Sequence, residues 1–246
     1  MDKYNIFKKR LEECSISYDQ FEKTIHKIVN ESYEEYIYIS HFDGVGNKNS
    51  DFDIYVITED DAEHKTYMLK IQKAKLDIEV WNINEFLEQL KDKHFCDDIK
   101  VLKKLYRMKV SVRGNTNNND YINTKIQDVL STINLDEMIY EYFKVMSNSE
   151  YKNAVNMFNS CEYVSSLECC RRAVSNLLAA YNIQNGDIVC NLKWVEKLFL
   201  KHSGKMQQEY LESFVYICVS EKNIEHIVER MLDFVTVYSS RLACVK

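Results

Sequence analysis

The chain has 246 residues, 46% of them apolar and 28% charged, which is enough to bury one large core or two small ones. A net charge of −6 argues against a general nucleic-acid binder, whose footprint is basic, although a local basic patch stays open. No apolar run is long enough to cross a bilayer, and Met1 to Asn5 lack the start of a secretory signal; no membrane partner and a cytoplasmic location are therefore expected.

Eight cysteines are present, none in a Cys-x-x-Cys pair and none accompanied by histidines at ligand spacing. Most fall at apolar helical positions, so buried thiols are expected rather than a zinc site or disulfides.

Residues 3–12 and 16–31 read as helices. In the second, Phe21, Ile25 and Ile28 recur at helical spacing and suit the cover of a sheet face. His26, beside that stripe, is assigned packing or solvent exposure and no chemistry. Tyr36-Ile37-Tyr38-Ile39 and Phe52 to Ile57 are β-branched and aromatic, as strands are. The polar segment between them carries Gly44 and Gly46, and with no proline in the chain glycine is its strongest breaker.

Asp51 and Asp53, two apart at the start of a strand, present both carboxylates to one face. Such a pair is either a solvated strand start or the seat of a hard divalent cation such as Mg²⁺. Ser40 closes the preceding strand, and Gly44 and Gly46 let backbone approach a ligand closely. After an acidic turn at 59–63, His64 to Ile71 and Lys75 to Trp81 form a hairpin with Gln72-Lys73-Ala74 at its bend. Along its second strand Leu76, Ile78 and Val80 share one face, and Asp77 and Glu79 the other. Two carboxylates on one strand and a third on a neighbour can hold two Mg²⁺ ions for in-line nucleotidyl transfer.

These residues resemble the nucleotidyltransferase superfamily that includes polymerase β, kanamycin nucleotidyltransferase and the minimal bacterial nucleotidyltransferases. Its pattern is Gly-Ser, a spacer of about nine to thirteen residues, Asp-x-Asp, and a carboxylate on a later strand. The resemblance spans residues 34–81. It implies that Asp51, Asp53 and Asp77 bind metal and that Ser40, Gly44, Gly46, Asn47 and Ser50 face the nucleotide. Glu79 is left as either a base for the acceptor hydroxyl or a group bracing the ligands. The glycine expected before Ser40 is Ile39, which fits either an altered nucleotide loop or a silent relative; retention of all three acids favours activity.

Farther on, a helix opens at Asn82 or Asn84 with Phe86, Leu87 and Leu90 on its apolar side. Lys100, Lys103, Lys104 and Arg107 then share one helical face, either simply solvated or attracting a triphosphate. Residues 109–113 suit a fifth strand, and the polar run Gly114 to Asp120 a linker, so the expected domains are 1–114 and 115–246. Beyond it the apolar period is helical: Leu135, Met138, Ile139, Tyr142 and Met146; Val164, Leu167, Val174, Leu177 and Leu178; Tyr210, Leu211, Phe214 and Cys218; and Ile224 to Leu242. Loops are expected at 147–150, 182–187 and 202–205. Lys193 beside Trp194 is a further nucleotide-binding candidate, against the usual fate of a helical tryptophan as core. Arg171 and Arg172 are similar candidates, against the usual snorkelling of long basic chains to water.

The expected fold is α+β, a nucleotidyltransferase-type mixed sheet flanked by helices and followed by an all-α bundle. By resemblance the bundle binds substrate and the enzyme uses two Mg²⁺ ions to move AMP from ATP to a hydroxyl of a small molecule such as an antibiotic or a natural-product intermediate. The alternatives are modification of a protein or RNA, as antitoxin-type relatives do, and a catalytically silent nucleotide-binding module.

Overall fold

Alternation of side chains along two neighbouring strands decides how the first half of the chain is layered. The computed structural model describes residues 3–29, 36–39, 50–58, 63–91, 99, 102, 105–106, 112–114, 121–188, 192–216 and 223–243. Its sheet comprises β1 (Tyr36–Ile39), β2 (Phe52–Thr58), β3 (Lys65–Ile71), β4 (Ala74–Asn82) and β5 (Val112–Gly114). The order is β3-β4-β2-β1-β5, with β2 and β4 parallel and every other neighbouring pair antiparallel. This is the mixed sheet expected.

Phe52, Ile54 and Val56 of β2 and Leu76, Ile78 and Val80 of β4 point to one face and are buried there. They pack against Phe7 and Leu11 of helix α1 (Lys3–Glu13) and Phe21 and Ile25 of helix α2 (Tyr18–Val29). The stripe read from α2 is thus core. Helix α2 starts at a reciprocal cap: Gln20 N–H donates to Ser17 Oγ at 3.2 Å, and Ser17 N–H to Gln20 Oε1 at 3.1 Å.

The β3–β4 hairpin closes through Gln72 and Lys73, with Ala74 already paired to Ile71 as the first residue of β4. Gln72 takes φ +52°, a left-handed conformation reached without glycine. Asn82 caps helix α3 (Ile83–Lys91), its Oδ1 accepting from Asn84 N–H at 2.7 Å and Glu85 N–H at 3.3 Å. Leu102 and Leu105 are buried; Lys100, Lys103, Lys104 and Arg107 lie outside the described residues.

The chain divides into two compact units, Met1–Leu135 and Asp136–Lys246. The expected division after Gly114 differs from this by the Tyr121–Ser131 helix, which packs against α3 and so belongs with the sheet.

The described residues of the second unit are helical or connect helices. Leu135–Asn159 is one continuous helix, which corrects the expected loop at 147–150. Ser147 is buried and its hydroxyl donates to Ala173 O at 2.8 Å, so a polar side chain is satisfied on the neighbouring Tyr163–Gln184 helix rather than breaking its own. The break comes later, at Ser160 to Glu162, where Cys161 adopts φ +60°. The buried residues of the Leu135–Asn159 helix are Leu135, Ile139, Phe143, Ser147 and Ala154, with Tyr142 and Met146 at the margin. Val164 is exposed, contrary to its place in the expected stripe. Cys14, Cys169 and Cys170 are buried and Cys161 is exposed; burial pushes the Cys170 thiol up to about 12.

An aromatic series, Tyr181, Phe199, Tyr210, Phe214, Phe234 and Tyr238, links these helices ring to ring. Tyr238 ends it by donating to Glu209 Oε2 at 2.6 Å. That hydrogen bond holds the Glu209 carboxylate below its ordinary range, while burial and then Glu209 raise the Tyr238 phenol to about 12. A depressed carboxylate stabilises the fold above its unfolded pKa and loses that contribution as pH falls through the folded value. Tyr238→Phe should therefore lower the urea midpoint at pH 7 more than at pH 3.5; equal losses at both would show that only packing changed. Among the described residues no helix is long and apolar enough to cross a membrane.

Candidate functional site

Parallel pairing of β2 with β4 sets Asp53 directly opposite Asp77. Neighbouring strands lie about 4.8 Å apart, so the two residues are adjacent on the sheet. Because direction alternates along each strand, Asp51, Asp53 and Tyr55 share a face with Lys75, Asp77 and Glu79, opposite the core against α1 and α2. The outer strand β3 extends these rows, setting Lys70 against Lys75, Met68 against Asp77 and Thr66 against Glu79.

Access differs along this face. Tyr55, Ile57 and Trp81 are buried, and α3 packs here through Phe86, whose ring meets the Trp81 indole edge-on at 6.2 Å. Toward the start of the strands the face opens: Asp53 and Asp77 are half-buried and Asp51 is exposed. Lys75 Nζ lies 3.8 Å from Asp51 Oδ1. Ser50, immediately before Asp51, is half-buried.

Glu79 follows Asp77 on the same face of β4. Trp81 Nε1–H donates to its Oε2 at 3.0 Å, and His64 Nε2 lies 3.9 Å from the same oxygen. The His64 ring rests on the indole with centroids 3.8 Å apart and planes 34° apart. The Trp81 hydrogen bond thus orients this carboxylate one step along β4 from Asp77, as suits a group that braces the site or receives a proton.

Of the residues singled out from sequence, Ser40, Gly44, Gly46 and Asn47 lie outside the described residues. Lys193 belongs to the second unit, in the 3₁₀ turn Leu192–Trp194. Its Nζ lies 5.2 Å from the centre of the Trp194 ring, and Lys197 Nζ 5.3 Å from it, so this half-exposed indole is a cation-flanked surface group rather than core. Arg171 pairs with Glu168 at 2.8 Å and Arg172 with Glu150 at 3.0 Å, contacts made within the bundle. Lys70, Lys75 and His64 were not singled out. The signal for Lys75 was its place two residues before Asp77, which fixes the shared face.

A hard divalent cation fits this set by donor chemistry, because the site offers carboxylate oxygens from adjacent strands. Among the described residues no three acidic, histidine or cysteine side chains converge on one point as they stand. Strand register brings Asp53 and Asp77 together, while Asp51 is turned to Lys75.

No protein-family model matches the sequence, and no curated protein matches it. Among solved structures the chain is similar to a nucleotidyltransferase-like protein from Exiguobacterium sibiricum 255-15, at 12% identity and a TM-score of 0.51, over 89% of this chain and 73% of that one. At that identity the likeness shows the fold.

Proposed function

From its nucleotidyltransferase-like fold, we propose that the chain transfers a nucleoside monophosphate, most simply AMP from ATP, to a hydroxyl of a small molecule. The acceptor oxygen bonds to the α-phosphorus, the bond from that phosphorus to the bridging oxygen of the β-phosphate breaks, the hydroxyl proton is released, and pyrophosphate leaves. The observation that carries this reading is Asp53 opposite Asp77 on the central parallel strands, with Asp51 beside them on the accessible end of the same face.

Asp51, Asp53 and Asp77 would hold Mg²⁺, with two ions the expected number. Bound there, the metal supplies positive charge to the phosphoryl oxygens and acidifies the attacking hydroxyl. The protein's own part is positional. Parallel register fixes the spacing of Asp53 and Asp77, and Phe52, anchored in the core between them, fixes the direction of Asp51 and Asp53. Glu79, oriented by the Trp81 hydrogen bond, would accept a hydrogen bond or the proton from the acceptor hydroxyl.

The test is incubation with each α-labelled nucleoside triphosphate and Mg²⁺, offering hydroxylated small molecules, transfer RNA and protein separately. Label in a small molecule with one pyrophosphate released per transfer is expected. Label in RNA or protein would replace this reading with macromolecular modification. Nucleotide binding with no pyrophosphate under any acceptor would replace it with a silent module.

A further inference from the structure

At the open end of the acidic face, Lys70 and Lys75 are register partners on β3 and β4, both exposed. Like charges directly opposite one another on a sheet repel and cost stability unless an anion lies between or beyond them. Among the described residues, only Lys75 of the two has an opposite charge in the same row, its Nζ lying 3.8 Å from Asp51 Oδ1. That pair is solvent-exposed, at 66% for the lysine and 50% for the aspartate side chain, and so is readily surrendered.

We propose that the Lys70–Lys75 pair receives the polyphosphate tail of the nucleotide, and that Lys75 passes from Asp51 to phosphate when metal and nucleotide bind together. The inference rests on the metal-and-nucleotide reading above. A divalent ion arriving alone at Asp51 meets the Lys75 ammonium on the same carboxylate, and the two cations repel. A triphosphate removes the conflict because its oxygens take up the ammonium that the metal displaces. Metal and nucleotide therefore assist one another at this end of the sheet, and the assistance is reciprocal. The Asp51 carboxylate is thus held by a cation that the ligand is built to draw away.

The test uses Mn²⁺ as the metal probe and a non-hydrolysable ATP analogue as the nucleotide, with binding followed by electron paramagnetic resonance and calorimetry. Lys75→Met should bind Mn²⁺ alone about two- to fivefold more tightly than wild type, the scale of one exposed ion pair. It should bind the Mn²⁺–analogue combination about tenfold more weakly, the scale of one charged hydrogen bond. Lys70→Met should show only the second effect, and Lys75→Arg should restore wild-type behaviour in both. A general loss of structure moves both affinities the same way, so opposite signs are the signature of the exchange. If wild type binds Mn²⁺ with the analogue and Lys75→Met matches it in both measurements, or weakens both, the inference is overturned while the proposed function stands. If wild type binds neither Mn²⁺ nor the analogue, both fall.

Discussion

Asp53→Asn is expected to lower nucleotidyl transfer by at least about a hundredfold, the scale on which removing one charge-stabilising group from an active site acts, while making the metal-free protein more stable. The two effects have one origin. Asp53 and Asp77 are register partners on parallel strands, and like charges so placed destabilise a sheet by about 0.2–1 kcal/mol. Asparagine keeps the size and polarity of the side chain and removes the repulsion. The melting temperature without metal should therefore rise by about one to three degrees.

Adding Mg²⁺ with nucleotide should reverse the ranking, because a ligand that binds only the folded state stabilises it in proportion to occupancy and the variant has lost part of the site. Asp51→Asn provides a contrast: Asp51 lies outside the register pairs and next to Lys75, so its metal-free gain should be smaller. Scanning calorimetry of the three proteins with and without ligand reads all of this. An Asp53→Asn protein that is less stable without metal and still transfers nucleotide would show that this aspartate serves the fold and not the chemistry.

Local pattern carried much of the first unit. Leu76, Ile78 and Val80 against Asp77 and Glu79 announce a half-buried strand by period alone, and Phe21 and Ile25 announce the helix that covers it. Pairing is a different matter. That β2 lies parallel to β4, and in the register that sets Asp53 opposite Asp77, depends on contacts between segments more than twenty residues apart, which no local period encodes. Strand period offers Asp77 and Glu79 as the third acid, family resemblance chooses Asp77, and the register supplies a physical account of its position beside Asp53.

The errors share that cause. Ser147-Asn148-Ser149-Glu150 has the composition of a loop, yet Ser147 finds its acceptor at Ala173 and Glu150 pairs with Arg172, both on another helix. The reverse case is Cys161, whose left-handed turn ends that helix without a glycine to mark it. Lys75 was legible in position and not in role. On a solvated strand a lysine is unremarkable until the register shows Asp51 beside it and Lys70 opposite.

Phe52→Ala is expected to cost about 3–5 kcal/mol, the range for truncating a buried aromatic side chain, out of a total that for most domains is about 5–15 kcal/mol. Phe52 is 1% exposed and meets the Phe7 ring at 6.0 Å with planes 77° apart; the Arg10 guanidinium lies 5.4 Å from its ring centre. It is the first residue of β2, register partner of Leu76, and it stands between the two aspartates in sequence. Burying it is what turns Asp51 and Asp53 outward, since neighbours in an extended chain point to opposite faces.

The variant should show a large fall in urea midpoint at unchanged slope, the mark of lost stability without a changed unfolded state. Transfer measured in the cold, where the variant is still folded, should also fall, because the start of β2 is held by this ring and Asp51 lies beyond the strand's last pair. Phe52→Leu retains most of the buried volume and should keep both stability and transfer near wild type. A loss below about 1 kcal/mol for the alanine variant, outside the range for cavity formation in a packed core, would mean that the acidic end of the sheet is positioned by something other than the core beneath it.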